Sequence, residues 1–259
     1  MNSTEKTAKL TQQQQRILKL LFKFRFVSAK LLAQVLGIRA DSTYEALERL
    51  VASDLVVKVY EKHYRIDRRA AYYYLSKPGV TTVRGLLGVR ESAVHALYKN
   101  DTASAEFVEH SLDALACYPA IRRNVPEGSD LFTRAEINRF KQFPKNRPDL
   151  YVRTPDGDEV MVVLAHDSLP YIINKRLDEI ITHSEDEGWD GEYPRIVFVL
   201  KDARSKNAFL YKTAQKLDNL GMDEDDLMIL ATTIEAVASG RVSVWASVFA
   251  PQVNIGLFE

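Results

Sequence analysis

Three apolar stripes at helical spacing, followed by a β-branched and aromatic stretch with a basic middle, fill the first 80 residues. In residues 11–24, TQQQQRILKLLFKF, the side chains Ile17, Leu18, Leu21 and Phe22 share one face, and Thr11 is suited to cap the helix start. Phe26-Val27 makes a short break. Ser28 then caps a second helix carrying Leu31, Leu32, Val35 and Leu36, which Gly37 stops. After the turn Gly37-Ile38-Arg39-Ala40, Asp41 or Ser42 is placed to cap a third helix whose stripe is Tyr44, Leu47, Leu50 and Val51. The stretch LVVKVYEKHYRIDRRAAYYYLS reads as two strands around a loop from Lys62 to Arg69. Alternation on a strand should divide Tyr72, Tyr73 and Tyr74 between core and surface. Pro78-Gly79 reads as the exit turn.

Helix, helix, turn, helix, hairpin is the order of a winged helix-turn-helix, expected over residues 1–80. The charge distribution fits a polyanionic partner. Residues 1–99 hold 18 Lys/Arg against 8 Asp/Glu, and residues 100–259 hold 17 against 27, so a neutral chain divides into halves of +10 and −10. Double-stranded DNA is the expected partner. Arg39, Ser42, Thr43 and Arg49 are expected on the groove side of the third helix, beside Glu45 and Glu48. Lys58, Lys62, Arg65, Arg68 and Arg69 are expected to meet phosphates from the hairpin. Asp41, Glu45 and Glu48 repel phosphate, so the hairpin is assigned affinity and the third helix register.

Residues 81–102 read as a basic linker or dimerisation helix, and residues 103–259 as a second domain. Its first helix carries Phe107, Leu112 and Leu115 inward, and residues 120–147 read as irregular. Asp149–Arg153 and Glu159–Leu164 should form a hairpin around Pro155-Asp156-Gly157. Helices are expected over 170–186 and 205–220, with strands over 195–200, 227–231 and 242–249 and a short helix before Gly240. The chain as a whole is expected to be α/β of the α+β kind.

The phrase Leu47-Glu48-Arg49-Leu50-Val51-Ala52-Ser53-Asp54-Leu55-Val56 resembles the end of the recognition helix in winged-helix regulators, with Asp54 where such families often place glycine. Over nearly the whole chain the pattern resembles the replication-relaxation family, a winged helix joined to a restriction-endonuclease-like, PD-(D/E)xK domain. The resemblance rests on His110 in the helix before the sheet, Arg147-Pro148-Asp149 opening a strand, the apolar strand after it, and the helix bearing Lys175. It implies a role in replication or mobilisation of a plasmid or other mobile element, with a relaxase or replication protein as partner. Active nucleases of that fold resemble a device in which an aspartate and an acid-x-Lys pair hold Mg²⁺. Asp149 fits the first position, but no register of Val160-Met161-Val162-Val163-Leu164-Ala165-His166 gives acid-x-Lys. The second domain is therefore expected to be catalytically inactive, with Asp149 capping a strand or pairing with Arg147. Were it a nuclease, Asp149 and Lys175 would carry it.

No Walker or Rossmann glycine pattern and no nucleophile elbow appears. The acidic run 223–226 lacks EF-hand spacing and reads as a solvated turn, His110 reads as structural, and His166-Asp167 invites an acid-base reading that no serine nucleophile motif accompanies. One cysteine, Cys117, cannot form an internal disulfide or a cysteine-based zinc site. No apolar run approaches a membrane span, and MNSTEKTAKL has no apolar signal core. A cytoplasmic, non-enzymatic protein without cofactor or metal is expected, with a homodimer as one arrangement. The alternatives are a transcriptional regulator whose second domain binds a ligand or partner, and a divergent Mg²⁺-dependent nuclease.

Overall fold

The computed structural model describes residues 10–60, 70–138, 140–186, 188–239 and 244–258. The chain divides into two compact units between Leu112 and Asp113.

Thr11 sets the start of α1 (Gln12–Phe24). Its hydroxyl accepts from the Gln14 N–H at 3.2 Å, and Gln14 Oε1 accepts from the Thr11 N–H at 2.9 Å. This reciprocal pair satisfies two donors that a helix start leaves bare, a contribution of about 1 kcal/mol. The chain leaves α1 through Arg25 at φ 66°, ψ −51°. Phe26 N–H donates to Phe24 O at 2.7 Å around it, which makes Arg25 the centre of a γ-turn. Such a backbone costs about 1–3 kcal/mol. The guanidinium offsets it by donating to Asn100 Oδ1 at 2.8 Å and Ala96 O at 3.0 Å, and by lying 4.5 Å from the Phe107 ring centroid.

Ser28 ends β1 (Val27–Ser28) and caps α2 (Ala29–Leu36), its Oγ accepting from the Leu31 N–H at 3.4 Å. Gly37 stops α2 at φ 67°, a conformation open to a residue without Cβ. Then come α3 (Ala40–Ala52), β2 (Val56–Val59) and β3 (Tyr72–Leu75). The strands form an antiparallel sheet in the order β1-β3-β2. This is the chain path of a winged helix-turn-helix, with α2 and α3 as its helix-turn-helix. Tyr73 is buried and its two neighbours are half-buried, as alternation requires. The loop of the hairpin, residues 61–69, lies outside the described residues.

Two expectations need correction here. The third helix begins at Ala40, with Arg39 at the N-cap and no side-chain cap, rather than after Asp41 or Ser42. Its inward stripe is Thr43, Ala46, Leu47 and Leu50, and Tyr44 turns outward with 46% of its surface exposed. Pro78-Gly79 is no exit turn, because both residues lie in the first turn of α4 (Lys77–Leu87), where proline's missing N–H costs nothing. Ser76 caps that helix, its Oγ accepting from the Gly79 N–H at 3.0 Å and donating to Asp54 O at 2.5 Å. A Cβ on Gly79 would stand 1.9 Å from Leu55 O, so only glycine allows this contact. The short α5 (Glu91–Val94) and a 3₁₀ stretch, His95–Thr102, follow.

The helix α6 (Ala105–Asn124) runs through Pro119, beyond its expected end. Residues 120–147, expected to be irregular, also contain β4 (Asp130–Thr133) and α7 (Arg134–Ile137). Next are β5 (Leu150–Arg153), β6 (Glu159–Leu164), α8 (Pro170–Glu185), β7 (Arg195–Leu200) and α9 (Ala203–Leu220). The chain closes with β8 (Ile229–Thr233), α10 (Ile234–Ala238), β9 (Trp245–Ser247) and β10 (Asn254–Ile255). Among the described residues these strands make one sheet in the order β10-β9-β8-β7-β6-β5-β4, parallel only at β6-β7 and β7-β8. Parallel neighbours need crossovers, which α8 and α9 supply. Both central parallel strands are buried on both faces, so EVMVVL and RIVFVL read as unbroken apolar runs after their first residue. On one face Met161, Val163, Phe198 and Ala231 pack with Ile173, Leu177, Phe209 and Leu217 from the two crossover helices. The protein is α+β, a winged helix-turn-helix followed by a mixed-sheet α/β domain.

Candidate nucleic-acid interface

Inward packing of Thr43, Leu47 and Leu50 fixes which side of α3 faces out. Arg39, Ser42, Glu45 and Arg49 are exposed, at the N-cap and on successive turns. The cations are not free. Arg39 pairs with Asp41 at 3.4 Å and Arg49 with Glu45 at 3.2 Å, all four side chains being at least 66% exposed. Exposed pairs of this kind contribute at most about 1 kcal/mol, so either arginine can exchange its carboxylate for a phosphate or a guanine edge.

Lys58 on β2 is bound more firmly. Its ammonium donates to Glu48 Oε1 at 2.8 Å and to the Tyr44 hydroxyl at 2.9 Å. Tyr73 also donates to Glu48 Oε1, at 3.3 Å. The Glu48 carboxylate first, and then the Tyr44 hydroxyl, hold the Lys58 ammonium far above the ordinary lysine range. Burial first, with Glu48 adding to it, pushes the Tyr73 phenol up to about 12.

The structure therefore places Arg39, Ser42 and Arg49 together on one outward face and withdraws two other expected residues from it. Thr43 has no exposed surface, and its hydroxyl donates to Arg39 O at 3.2 Å inside the helix. Lys58 is engaged within the molecule. Lys62, Arg65, Arg68 and Arg69 lie outside the described residues. The described pairs set three cations against three carboxylates, so α3 and β2 add no net positive charge.

Sequence reading missed Arg16. It lines a depression of about 280 Å³ with Gln12, Gln13, Leu36, Ile38 and Ser42, and Gln13 Nε2 donates to Ser42 O at 3.3 Å. Arg16 has no carboxylate partner among the described residues. Its position off the Ile17/Leu18 stripe was the available signal.

In the second domain the two residues of the nuclease alternative differ in setting, Asp149 being buried and Lys175 exposed. Asp149 is 3% exposed, and its Oδ2 accepts from the Leu164 N–H at 2.8 Å. Arg176 and Arg134 approach it at 3.6 Å and 3.7 Å. Lys175 is exposed on α8, one residue from the arginine that does face Asp149. The expected pairing of Asp149 with Arg147 is replaced by these two arginines. Arg147 instead donates to Phe143 O at 3.0 Å, and its own carbonyl accepts from Arg176 at 2.7 Å.

His166, 9% exposed, directs Nε2 at Asp113 Oδ2 (2.9 Å) and Asp167 Oδ2 (3.1 Å). Asp113 foremost, against the opposing effect of burial, holds the imidazole pKa above its ordinary value. Ligand atoms of the three residues lie within 4.8 Å of one another. A divalent ion would have to displace the hydrogen bond at Nε2, and Nδ1 has no acceptor of the kind that orients metal-bound histidines. Both carboxylates meet the imidazole at Nε2. His110 is half-buried in α6. Cys117 is buried, which pushes its thiol up to about 12 and leaves it unreactive. Among the described residues no helix is long and apolar enough to cross a membrane.

Neither a protein-family model nor a curated protein matches this chain. Solved structures similar to its first part include the adhesin competence repressor AdcR from Streptococcus pyogenes, 20% identical over 41% of this chain and 76% of that one, with a TM-score of 0.28. A variant of ZitR from Lactococcus lactis is 20% identical over 42% of this chain and 73% of its own, at 0.28. A variant of MarR from E. coli is 19% identical over 39% of this chain and 72% of its own, at 0.27. These scores are low, and the winged-helix assignment stands on the chain path and strand order given above.

Proposed function

We propose that this protein binds duplex DNA through its winged helix, with α3 in the major groove and the β2–β3 hairpin against the backbone. The observation that carries the reading is the outward face of α3, where Arg39, Ser42 and Arg49 stand beyond a helix-turn-helix whose inward face is closed by Leu47 and Leu50. Hydrogen bonds from Ser42 and a released Arg39 or Arg49 fix register and read bases. Affinity falls to cations off this face. Arg16 is one, and the sequence of 61–69 supplies Lys62, Arg65, Arg68 and Arg69 against Glu61 and Asp67. A homodimer would present two such helices to half-sites about 34 Å apart, and the half-site spacing of the bound DNA tests that arrangement.

On this reading the protein is an accessory factor of the replication-relaxation type, acting on plasmid or mobile-element DNA beside a relaxase or replication protein. The acidic second domain faces protein rather than DNA. It is not an enzyme, a reading supported by the engagement of Asp149 with Leu164, Arg134 and Arg176. Salt-dependent gel shifts test the DNA reading. Arg68→Ala with Arg69→Ala weakens binding and flattens the salt slope, and salt-insensitive binding unchanged by both substitutions refutes it.

One observation favours the second reading, a regulator whose second domain takes a ligand. A cavity of about 290 Å³ opens in that domain, with an apolar floor and several polar groups.

A further inference from the structure

The strands β6 and β7 lie parallel and end at Leu164 and Leu200. The cavity of about 290 Å³ lies at those two ends, between the starts of α8 and α9. Space beyond the carboxyl ends of parallel strands is a common place for ligands. Position alone identifies nothing, but the side chains do. The floor is apolar, with Ile173 and Leu200 beside Phe209, whose ring lies tilted against Phe198 with centroids 4.6 Å apart.

The rim is cationic. Lys201, Arg204 and Lys212 all line the cavity, in a stretch of chain where residues 100–259 carry ten more acids than bases. None of the three has a carboxylate partner among the described residues, whereas the groove-side cations of α3 and β2 are all paired. Asp202 caps α9 by accepting from the Ser205 N–H at 2.8 Å. The Ser205 N–H first, with Lys201 adding to it, holds the neighbouring Asp202 carboxyl below its ordinary range, and Asp113 and Asp167 have a partner of their own in His166. His166 lines the same cavity, and its Nδ1 is buried without a partner among the described residues.

We propose that this cavity binds a small phosphorylated molecule, with the phosphate between Lys201, Arg204 and Lys212 and a compact apolar or heteroaromatic body on Phe209 and Ile173. Three cations suit a dianionic phosphate, since a single carboxylate would leave two of them unneutralised. The volume sits near the small end of ligand pockets, which limits the guest to about the size of a nucleoside monophosphate. The proposal does not depend on the winged helix binding DNA.

Calorimetry on the full chain tests it with inorganic phosphate, adenosine 5′-monophosphate and uncharged adenosine as probes. Phosphate and the monophosphate are expected to bind and to compete, with the monophosphate tighter, and adenosine is expected not to bind. Lys201→Ala with Arg204→Ala, both exposed positions, should weaken the monophosphate at least about tenfold while leaving the melting temperature unchanged. Failure of both phosphate probes to bind overturns the proposal. So does equal binding of adenosine, or binding that the double variant leaves intact. A short single-stranded oligonucleotide serves as the last arm, and its binding here while the monophosphate fails would make the site a nucleic-acid groove instead.

Discussion

The Lys58 ammonium donates to Glu48 Oε1 at 2.8 Å and to the Tyr44 hydroxyl at 2.9 Å, so the cation of β2 is consumed by the helix beside which it would meet DNA. Glu48 is thus a restraint on the wing. Replacing it with glutamine keeps the shape and removes the charge that holds Lys58. Glu48→Gln should tighten duplex binding about three- to tenfold at low salt. It should also steepen the dependence of log K on log salt by about one unit, as one further phosphate contact does. Fluorescence anisotropy across a salt series checks this, and an unchanged slope would mean that Lys58 never reaches the backbone.

Neighbouring residues on α3 should behave oppositely. Ser42 is exposed, and Thr43 is buried with its hydroxyl spent on Arg39 O. Ser42→Ala is expected to lower affinity for a specific site by roughly 1 kcal/mol with no change in melting temperature. Thr43→Val should change stability within about 1 kcal/mol and leave affinity alone. Equal losses of affinity for both would show that α3 does not present the face described.

Asp54 stands at φ 57°, in the left-handed region, where the turn from α3 into β2 would favour glycine. Its N–H donates to Val51 O at 3.0 Å, which keeps the turn closed in spite of the side chain. Asp54→Gly should stabilise the first unit by about 0.5–1 kcal/mol, read from the midpoint of denaturant unfolding.

Much of this was legible in the chain. Thr11, Ser28 and Gly37 bound α1 and α2 where capping chemistry puts them, and the long apolar runs at 160–164 and 196–200 could only be buried strands. The errors share a physical origin. DLFT at 130–133 has four residues and no alternation strong enough to announce a strand, so it exists through pairing with β5. Tyr44 has an apolar ring and Thr43 a hydroxyl, so composition put the wrong one inside. The helix starts before Asp41 and Ser42, because Arg39 occupies an N-cap without a side-chain bond. The ion pairs of Lys58 and Asp149 cross 10 to 27 residues of sequence, beyond the reach of local spacing. The cationic rim was hidden for the same reason, since Lys201, Arg204 and Lys212 are ordinary charges until the fold sets them around one cavity.

His166 supplies a pH test. Asp113 and Asp167 face its Nε2, with Asp149 near enough to add to their effect, and together they raise its pKa from the ordinary 6.5 against the cost of burial. The folded protein therefore holds this proton more tightly than the unfolded chain. The resulting stability is complete below pH 6.5 and is lost as pH rises through the folded value. The melting temperature should fall over that window, and Asp113→Asn should flatten the fall. A wild-type profile without any decline above pH 6.5 would mean that the imidazolium is not favoured.

Asp149 separates a structural role from a catalytic one. Its carboxylate accepts the Leu164 N–H and faces Arg176, whose side chain is only 15% exposed. Removing the carboxylate leaves a buried guanidinium without its charge partner and a backbone donor without an acceptor. Asp149→Ala should therefore cost about 3–5 kcal/mol, measured by denaturant unfolding. Lys175 is exposed, so Lys175→Ala should change stability by less than about 0.5 kcal/mol. A nuclease would show another pattern, in which both substitutions abolish cutting and Lys175→Ala does so in a fully folded protein. Supercoiled plasmid incubated with the wild type and Mg²⁺ or Mn²⁺ should remain uncut. Nicking lost in Lys175→Ala would assign catalysis to this domain and make the ion pair of Asp149 a resting state of an active site.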